Sequence, residues 1–245
     1  MLSKNQRKQI LQLSKKKYRL SSGLFVAEGE KVVNELIAAG WSFHSMFAID
    51  KDFHLEVQLV TPEEMKSITH FKSPSPVLGV FSLPEEQNII AEAITIAVDG
   101  VSDPGNLGTL LRLCDWFSLS ELICSQTTVD CYNPKVIQAS MGSIVRVKCH
   151  YVKDLGATLN SLQKPIYGAS AKGDSIYQVQ LPDKASYVFG SESHGISSSV
   201  TACLKGELSI PEFREGSSKA ESLNVATASA IFLSELFRPN LLIQK

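Results

Sequence analysis

The amino-acid sequence predicts an α/β protein built on a parallel sheet and preceded by a smaller α/β unit. Six short apolar runs carry the first part: ITIAV (94–98), ELIC (121–124), IVRVKC (144–149), PIYGAS (165–170), YVFG (187–190) and ELSI (207–210). The segments between them are long enough for crossover helices, which is the signature of parallel strands. Ahead of these runs, a helical pattern around Glu30–Ala39 sits among strand-like runs near Phe43–Ile49, Val57–Val60 and Val77–Leu83. Between the two regions, PEEQNIIAE (84–92) is polar and opens on Pro84; proline and charge oppose either regular element there. The expected domains are therefore 1–84 and 91–245. A chain of 245 residues, 44% hydrophobic and 20% charged, has ample material for buried cores and the composition of an ordinary globular protein.

Composition also excludes several function classes. No run reaches the length of a membrane span, and MLSKNQRKQI lacks the apolar stretch of a secretory signal, so the cytoplasm is expected. Five cysteines without a CxxC pair suit neither a disulfide framework nor a zinc site. Five scattered histidines without HExxH give no support to metal-dependent hydrolysis, and no metal is expected. The net charge is −1, so only local charge argues for a polyanionic partner. Such charge exists: Lys4, Arg7, Lys8, Lys15, Lys16, Lys17 and Arg19 precede the first acidic residue, Glu28. With Ile10, Leu11 and Leu13 among them, they suggest a short amphipathic helix, either a solvated face or a contact for a polyphosphate backbone.

In an open parallel sheet, ligands gather at the carboxyl ends of the strands, so the loops there carry the chemistry. After ITIAV comes Asp99 to Arg112, DGVSDPGNLGTLLR; after YVFG comes Gly190 to Ile196, GSESHGI; after ELSI come Pro211, a polar loop and Ser222-Leu223-Asn224-Val225 opening a helix. Gly190 and Gly195 have the spacing of a phosphate-binding loop, but Ile196 stands where its lysine belongs and Glu192 would repel phosphates. No two glycines are two positions apart, and GxSxG is absent, so dinucleotide-binding and α/β-hydrolase readings fall as well. Pro104-Gly105-Asn106 reads as a turn, with Asn106 able to cap a helix from Leu107 to about Phe117. Gly108 and Arg112 share a face of that helix, where a glycine admits a substrate and a guanidinium can hold a phosphate. An ordinary cap and a surface arginine would produce the same string. The small residues Ala226 to Ala230 suit either a tight contact inside the domain or a subunit interface.

Taken together and in order, the loops resemble the three motifs of the SpoU (TrmH-type) RNA ribose 2'-O-methyltransferases of the SPOUT class. The first motif corresponds to Asp99, Pro104, Asn106, Gly108 and Arg112, the second to Gly190, Glu192, Gly195 and Ile196, the third to Ile210-Pro211 followed by Ser222 to Val225. The segment 133–147 (NPKVIQASMGSIVRV) resembles the family's stretch between the first two motifs, and the N-terminal KNQRK…FVAEGEKVVNEL resembles the substrate-binding domain often fused in front. Gln138, Ser118 and Ala226 depart from residues common in the family, and the loop 212–221 is longer than usual. It suits a lid over the cofactor or an inert surface insertion.

The resemblance implies a SPOUT domain with a trefoil knot near its C-terminus, S-adenosyl-L-methionine as cofactor, a homodimer, and RNA as substrate, ribosomal RNA ahead of transfer RNA. It implies catalytic roles for Arg112, Asn106, Glu192, Ser222 and Asn224, and cofactor contacts from Gly190, Ile210 and Leu223. RNA affinity would come from the basic residues 4 to 19. A catalytically silent RNA-binding factor with the same fold and a base-methylating SPOUT enzyme are the alternatives.

Overall fold

A computed structural model describes residues 1–90, 92–213 and 222–243. Those residues form two compact units, one of 1–87 with 130–145, the other of 88–129 with 146 onward. The boundary at 87/88 falls inside the polar stretch expected to separate two domains, whereas 130–145 leaves the contiguous second domain and groups with the first unit.

The first unit begins with two helices in place of the single one expected, α1 (Lys4–Gln12) and α2 (Lys16–Ser22). A capping box formed by Ser3 and Gln6 starts α1, and Gly23, left-handed at φ 67°, ends α2. Strand β1 (Leu24–Glu28) is buried throughout, and α3 (Glu30–Ala38), β2 (Phe43–Ala48), β3 (Gln58–Leu59), α4 (Pro62–Lys66) and β4 (Val77–Ser82) follow. The sheet order is β1-β4-β2-β3, with β4 antiparallel to both neighbours. Ile10 and Leu13 bury their side chains with Val26, Phe47, Met65 and Leu78, so the apolar face of the basic arm is what fixes it to the sheet.

The second unit carries the parallel sheet. In chain order it contains β5 (Ile94–Asp99), α5 (Pro104–Trp116) and β6 (Glu121–Ser125). The chain then contributes α6 (Pro134–Ser140) to the first unit, where it packs on β1. It resumes with β7 (Lys148–Val152), α7 (Leu155–Ser161), β8 (Ile166–Ser175), β9 (Ala185–Gly190), α8 (Ser198–Thr201), β10 (Gly206–Ser209) and α9 (Val225–Ile243). The strand order is β10-β8-β9-β5-β6-β7, and every pairing is parallel. The core joins Ala97, Ile123, Val188 and Ile166 of the sheet to Leu155, Leu159 and Val200 of helices α7 and α8. At the amino end of β5, the Lys164 ammonium donates to the carbonyls of Glu92 (2.6 Å) and Ala93 (3.2 Å) and to Thr95 Oγ1 (2.5 Å), and burial lowers its pKa.

Three expectations are corrected. Strand β7 starts at Lys148, later than the apolar run 144–149 suggests, because Met141 and Gly142 adopt left-handed φ and Ser143–Val145 coil into a 3₁₀ turn. Helix α5 starts at Pro104, earlier than Leu107: the Asp103 carboxylate accepts the Asn106 N–H (2.9 Å), and proline is preset for the first helical turn. Asn106 is therefore not the cap, and its side chain is available for other work. Finally, Arg19 is no part of an exposed basic face. It is 1% exposed, and its guanidinium donates to Asp130 (2.9 and 2.5 Å) and to the Leu13 carbonyl (2.7 Å).

Candidate active site

The sheet order places the ends of β5 and β9 side by side, Asp99 opposite Gly190. The chain runs outward from β5 to β6 and β7 and then returns to the other side of β5, so the loops leaving β5 and β9 flank a topological switch point. A cleft of about 520 Å³ opens beside the β9 loop, and no residue of the β5 loop lines it. Gly190, Glu192, Ile210, Ser222 and Leu223 line it, together with Phe189, Ile196, Thr201, Glu207, Val225 and Phe232. All three expected cofactor residues thus meet in one cavity. Phe189 and Phe232 close its floor with an edge-to-face contact at 5.4 Å.

Gly190 is required by close approach, since a Cβ there would run into the backbone of Gly195 and Ile196. The loop folds back on itself: Ser191 and Gly195 exchange backbone hydrogen bonds of 3.0 and 2.9 Å, and the Ser191 hydroxyl accepts the His194 N–H (3.1 Å). This turn keeps Gly190, Ser191, Glu192, Gly195 and Ile196 together along one side of the cleft.

Three of the expected catalytic residues form one network. The Asn106 side-chain amide donates to Glu192 Oε1, and Asn106 Oδ1 accepts from Asn224 Nδ2 at 2.9 Å. Asn224 in turn opens α9: its Oδ1 accepts the N–H groups of Ala226 (3.0 Å) and Thr227 (3.2 Å). Each amide is thus fixed in orientation, because the capping oxygen of Asn224 leaves only its NH2 for Asn106, whose own NH2 then faces the carboxylate. Loops separated widely in sequence are tied together at the side chains that the motifs share. Arg112 stands exposed on α5 and does not line the cleft, and Ser222 lines it as an exposed residue.

Other sequence readings resolve differently. Gly108 is buried in α5, so it serves packing and offers no open approach to a substrate. Helix α9 packs within the unit against α5 and β9, and in its small-residue start Ser229 is fully buried with its hydroxyl on the Val225 carbonyl (2.8 Å). Lys4, Arg7, Lys8, Lys15, Lys16 and Lys17 are exposed in the first unit. Loop residues 214–221 lie outside the described residues. Among the described residues, no cluster of three His, Cys, Asp or Glu side chains could hold a metal ion, and no helix is long and apolar enough to cross a membrane. Asp99 reads in the sequence only as the start of a motif; its carboxylate accepts the Ser197 N–H (2.8 Å), a contact with no local signal.

Comparison with known proteins agrees with this geometry. Residues 93–234 match the SpoU rRNA Methylase family, and residues 4–79 match the MRM3-like substrate binding domain. A 23S rRNA (guanosine(2553)-2'-O)-methyltransferase of Bacillus subtilis is 27% identical over 247 residues, covering 96% of this chain and 97% of that protein. A 23S rRNA (guanosine-2'-O-)-methyltransferase of Neisseria meningitidis is 29% identical over 160 residues, 64% of this chain and 62% of that one. Among solved structures, a protein of Porphyromonas gingivalis assigned to the TrmH family of RNA methyltransferases superposes with a TM-score of 0.85 at 37% identity, covering 98% of this chain and 99% of its own. The SpoU methyltransferase AviRb of Streptomyces viridochromogenes, solved with AdoMet, shares the fold at a TM-score of 0.82 and 20% identity. With the family pattern spanning more than half its length, two motif loops lining one cleft and the first tied to both through Asn106, the chain belongs to the SpoU rRNA methylase family.

Proposed function

We propose that this protein methylates a ribose 2'-hydroxyl of ribosomal RNA, with S-adenosyl-L-methionine as methyl donor. The observation that carries the reading is the Asn224–Asn106–Glu192 network beside a cleft whose lining includes Gly190, Ile210 and Leu223. The cleft suits the cofactor: it is large enough for a nucleoside with an amino-acid tail, is lined by Phe189, Ile196, Leu223, Val225 and Phe232, and is bordered by the glycine loop 190–196. Bound there, the cofactor supplies an electrophilic methyl group. Gly190, Ile210 and Leu223 would hold it through their backbones.

The remaining work is done by protein side chains. A 2'-hydroxyl is a weak nucleophile, so it must be aligned and relieved of its proton. Arg112 orients the hydroxyl and the adjacent phosphate with its planar fork; a guanidinium stays protonated, so the proton leaves to a phosphate oxygen or water. Asn106, fixed between Glu192 and Asn224, shapes the wall that faces the substrate, and Ser222 orders the cofactor side. Lys4, Arg7, Lys8, Lys15, Lys16 and Lys17 supply sequence-independent affinity for the RNA backbone. The protein works as a homodimer in the cytoplasm. The named relatives, both acting on guanosine in 23S rRNA, favour ribosomal over transfer RNA.

The test is transfer of labelled methyl to unmodified ribosomal RNA by wild type and Arg112→Ala, followed by digestion to nucleosides. Label on the ribose 2'-oxygen, lost in the variant, is expected. Label on a base would establish the base-methylating alternative, and cofactor binding absent from the wild type would favour the silent RNA-binding factor.

A further inference from the structure

We propose that Asp99 is a positioning residue that anchors both ends of the cofactor loop. This rests on the cleft being the S-adenosyl-L-methionine site. Asp99 ends β5 and is 7% exposed. Its backbone stands opposite Gly190 in the parallel ladder, and its Oδ2 accepts the Ser197 N–H at 2.8 Å. Gly190 begins the loop and Ser197 follows its last residue, Ile196, so one residue meets the loop where it leaves the sheet and where it rejoins the fold.

Apart from Glu192, which accepts from Asn106 outside the loop, the loop's other hydrogen bonds are internal. The Ser191–Gly195 pair and the Ser191–His194 hydrogen bond close it on itself but do not fix it to β5. Behind Asp99 the chain turns away at once: Gly100 takes φ 75° and donates its N–H to Ser125 Oγ (2.9 Å) and Thr128 Oγ1 (3.2 Å). The Asp99 carboxylate therefore bridges from the sheet to the far end of the loop. Burying a carboxylate is costly unless it is hydrogen-bonded, and a charge-assisted bond to a backbone N–H is among the stronger ways to offset that cost. Because Gly190, Ser191, Glu192, Gly195 and Ile196 line the cleft, releasing Ser197 lets them leave the arrangement that accepts the cofactor.

The effect belongs to cofactor affinity. Asp99→Ala is expected to weaken S-adenosyl-L-methionine binding about tenfold or more by calorimetry, raising its KM while kcat at saturating cofactor stays within about threefold. Asp99→Asn keeps an oxygen that can accept the same N–H, and it should restore the affinity to within about threefold of wild type. Ser197→Pro removes the donor and leaves Asp99 in place; φ at Ser197 is −63°, which a proline adopts, so this variant should reproduce the loss. RNA affinity should be the same in all three. Wild-type cofactor affinity in Asp99→Ala or Ser197→Pro would overturn the proposal, as would an Asp99→Asn variant as weak as Asp99→Ala. Should Asp99→Ala not fold, the other two variants decide. A wild type that binds no S-adenosyl-L-methionine would overturn the cofactor reading of the cleft and this inference with it.

Discussion

Asn106 touches each of two loops once, donating to Glu192 and accepting from Asn224. Removing it should separate elements that the fold brings together. Asn106→Ala is expected to lower methyl transfer on the order of a hundredfold in single-turnover assays, because misplaced reacting groups are penalised steeply. Asn106→Asp should be at least as damaging, since it sets a second carboxylate against Glu192. Ser118 illustrates a residue whose meaning changes with the structure. It departs from a common family glycine, and it follows α5 at φ 58°, the left-handed position of a Schellman ending: Leu119 N–H bonds the Cys114 carbonyl (2.8 Å) and Ser118 N–H that of Asp115 (3.1 Å). Its consequence is for stability. Ser118→Gly should raise unfolding free energy by about 1 kcal/mol in urea melts without changing activity.

Among elements, α1 shows how a basic helix is held in place. Its carboxyl end receives two donors: Arg19 on the Leu13 carbonyl (2.7 Å) and His70 Nε2 on the Ile10 carbonyl (3.1 Å). A carbonyl only accepts, so His70 carries its proton on Nε2, and burial lowers its pKa, favouring the neutral ring. Arg19 is itself held by Asp130, from the segment that carries α6 into this unit, where Tyr132 also packs against Phe25 at 5.1 Å. A buried pair of this kind is costly to break from one side, because the remaining charge is stranded. Asp130→Ala should destabilise the protein by about 3 to 5 kcal/mol, and Arg19→Met with Asp130→Leu should recover much of that stability in thermal melts. If Asp130→Ala melts like wild type, the ion pair has no structural weight.

At the scale of the whole molecule, the balance of charge is uneven. The chain carries a net charge of −1, yet its first acidic residue is Glu28. Lys15, Lys16 and Lys17 lie in one exposed run of this basic region. A lysine that neutralises a phosphate releases a counterion on binding, so its removal should lower the dependence of RNA affinity on salt. Neutralising the three together should therefore flatten the slope of log K against log salt by about 2 to 3, while cofactor affinity is unchanged. An unchanged slope would remove these lysines from the RNA face. The proposed division of labour, affinity from one unit and chemistry from the other, predicts that the two readouts separate.

Much of this organisation is legible in the sequence because it is local. Alternating and continuous apolar runs mark most strands, and the motif loops stand where strands end, since the chemistry there depends on residue type and spacing over a few positions. Burial partners are not legible. Arg19 reads as one more cation in a basic arm, and nothing nearby in sequence announces Asp130. Helix α6 reads as part of the second domain, and Asn106 reads as a cap although Asp103 takes that role. The strand order decided which loops meet, and it brought Asn106 to Glu192 and Asn224 across separations of 86 and 118 residues. Periodicity and motif spacing are set by nearest neighbours along the chain, so the sequence alone determined the α/β class and most of the strands, and its motifs carried the resemblance that named the candidate residues. Hydrogen-bond and ion-pair partners depend on which surfaces bury each other, and only the tertiary structure decided those.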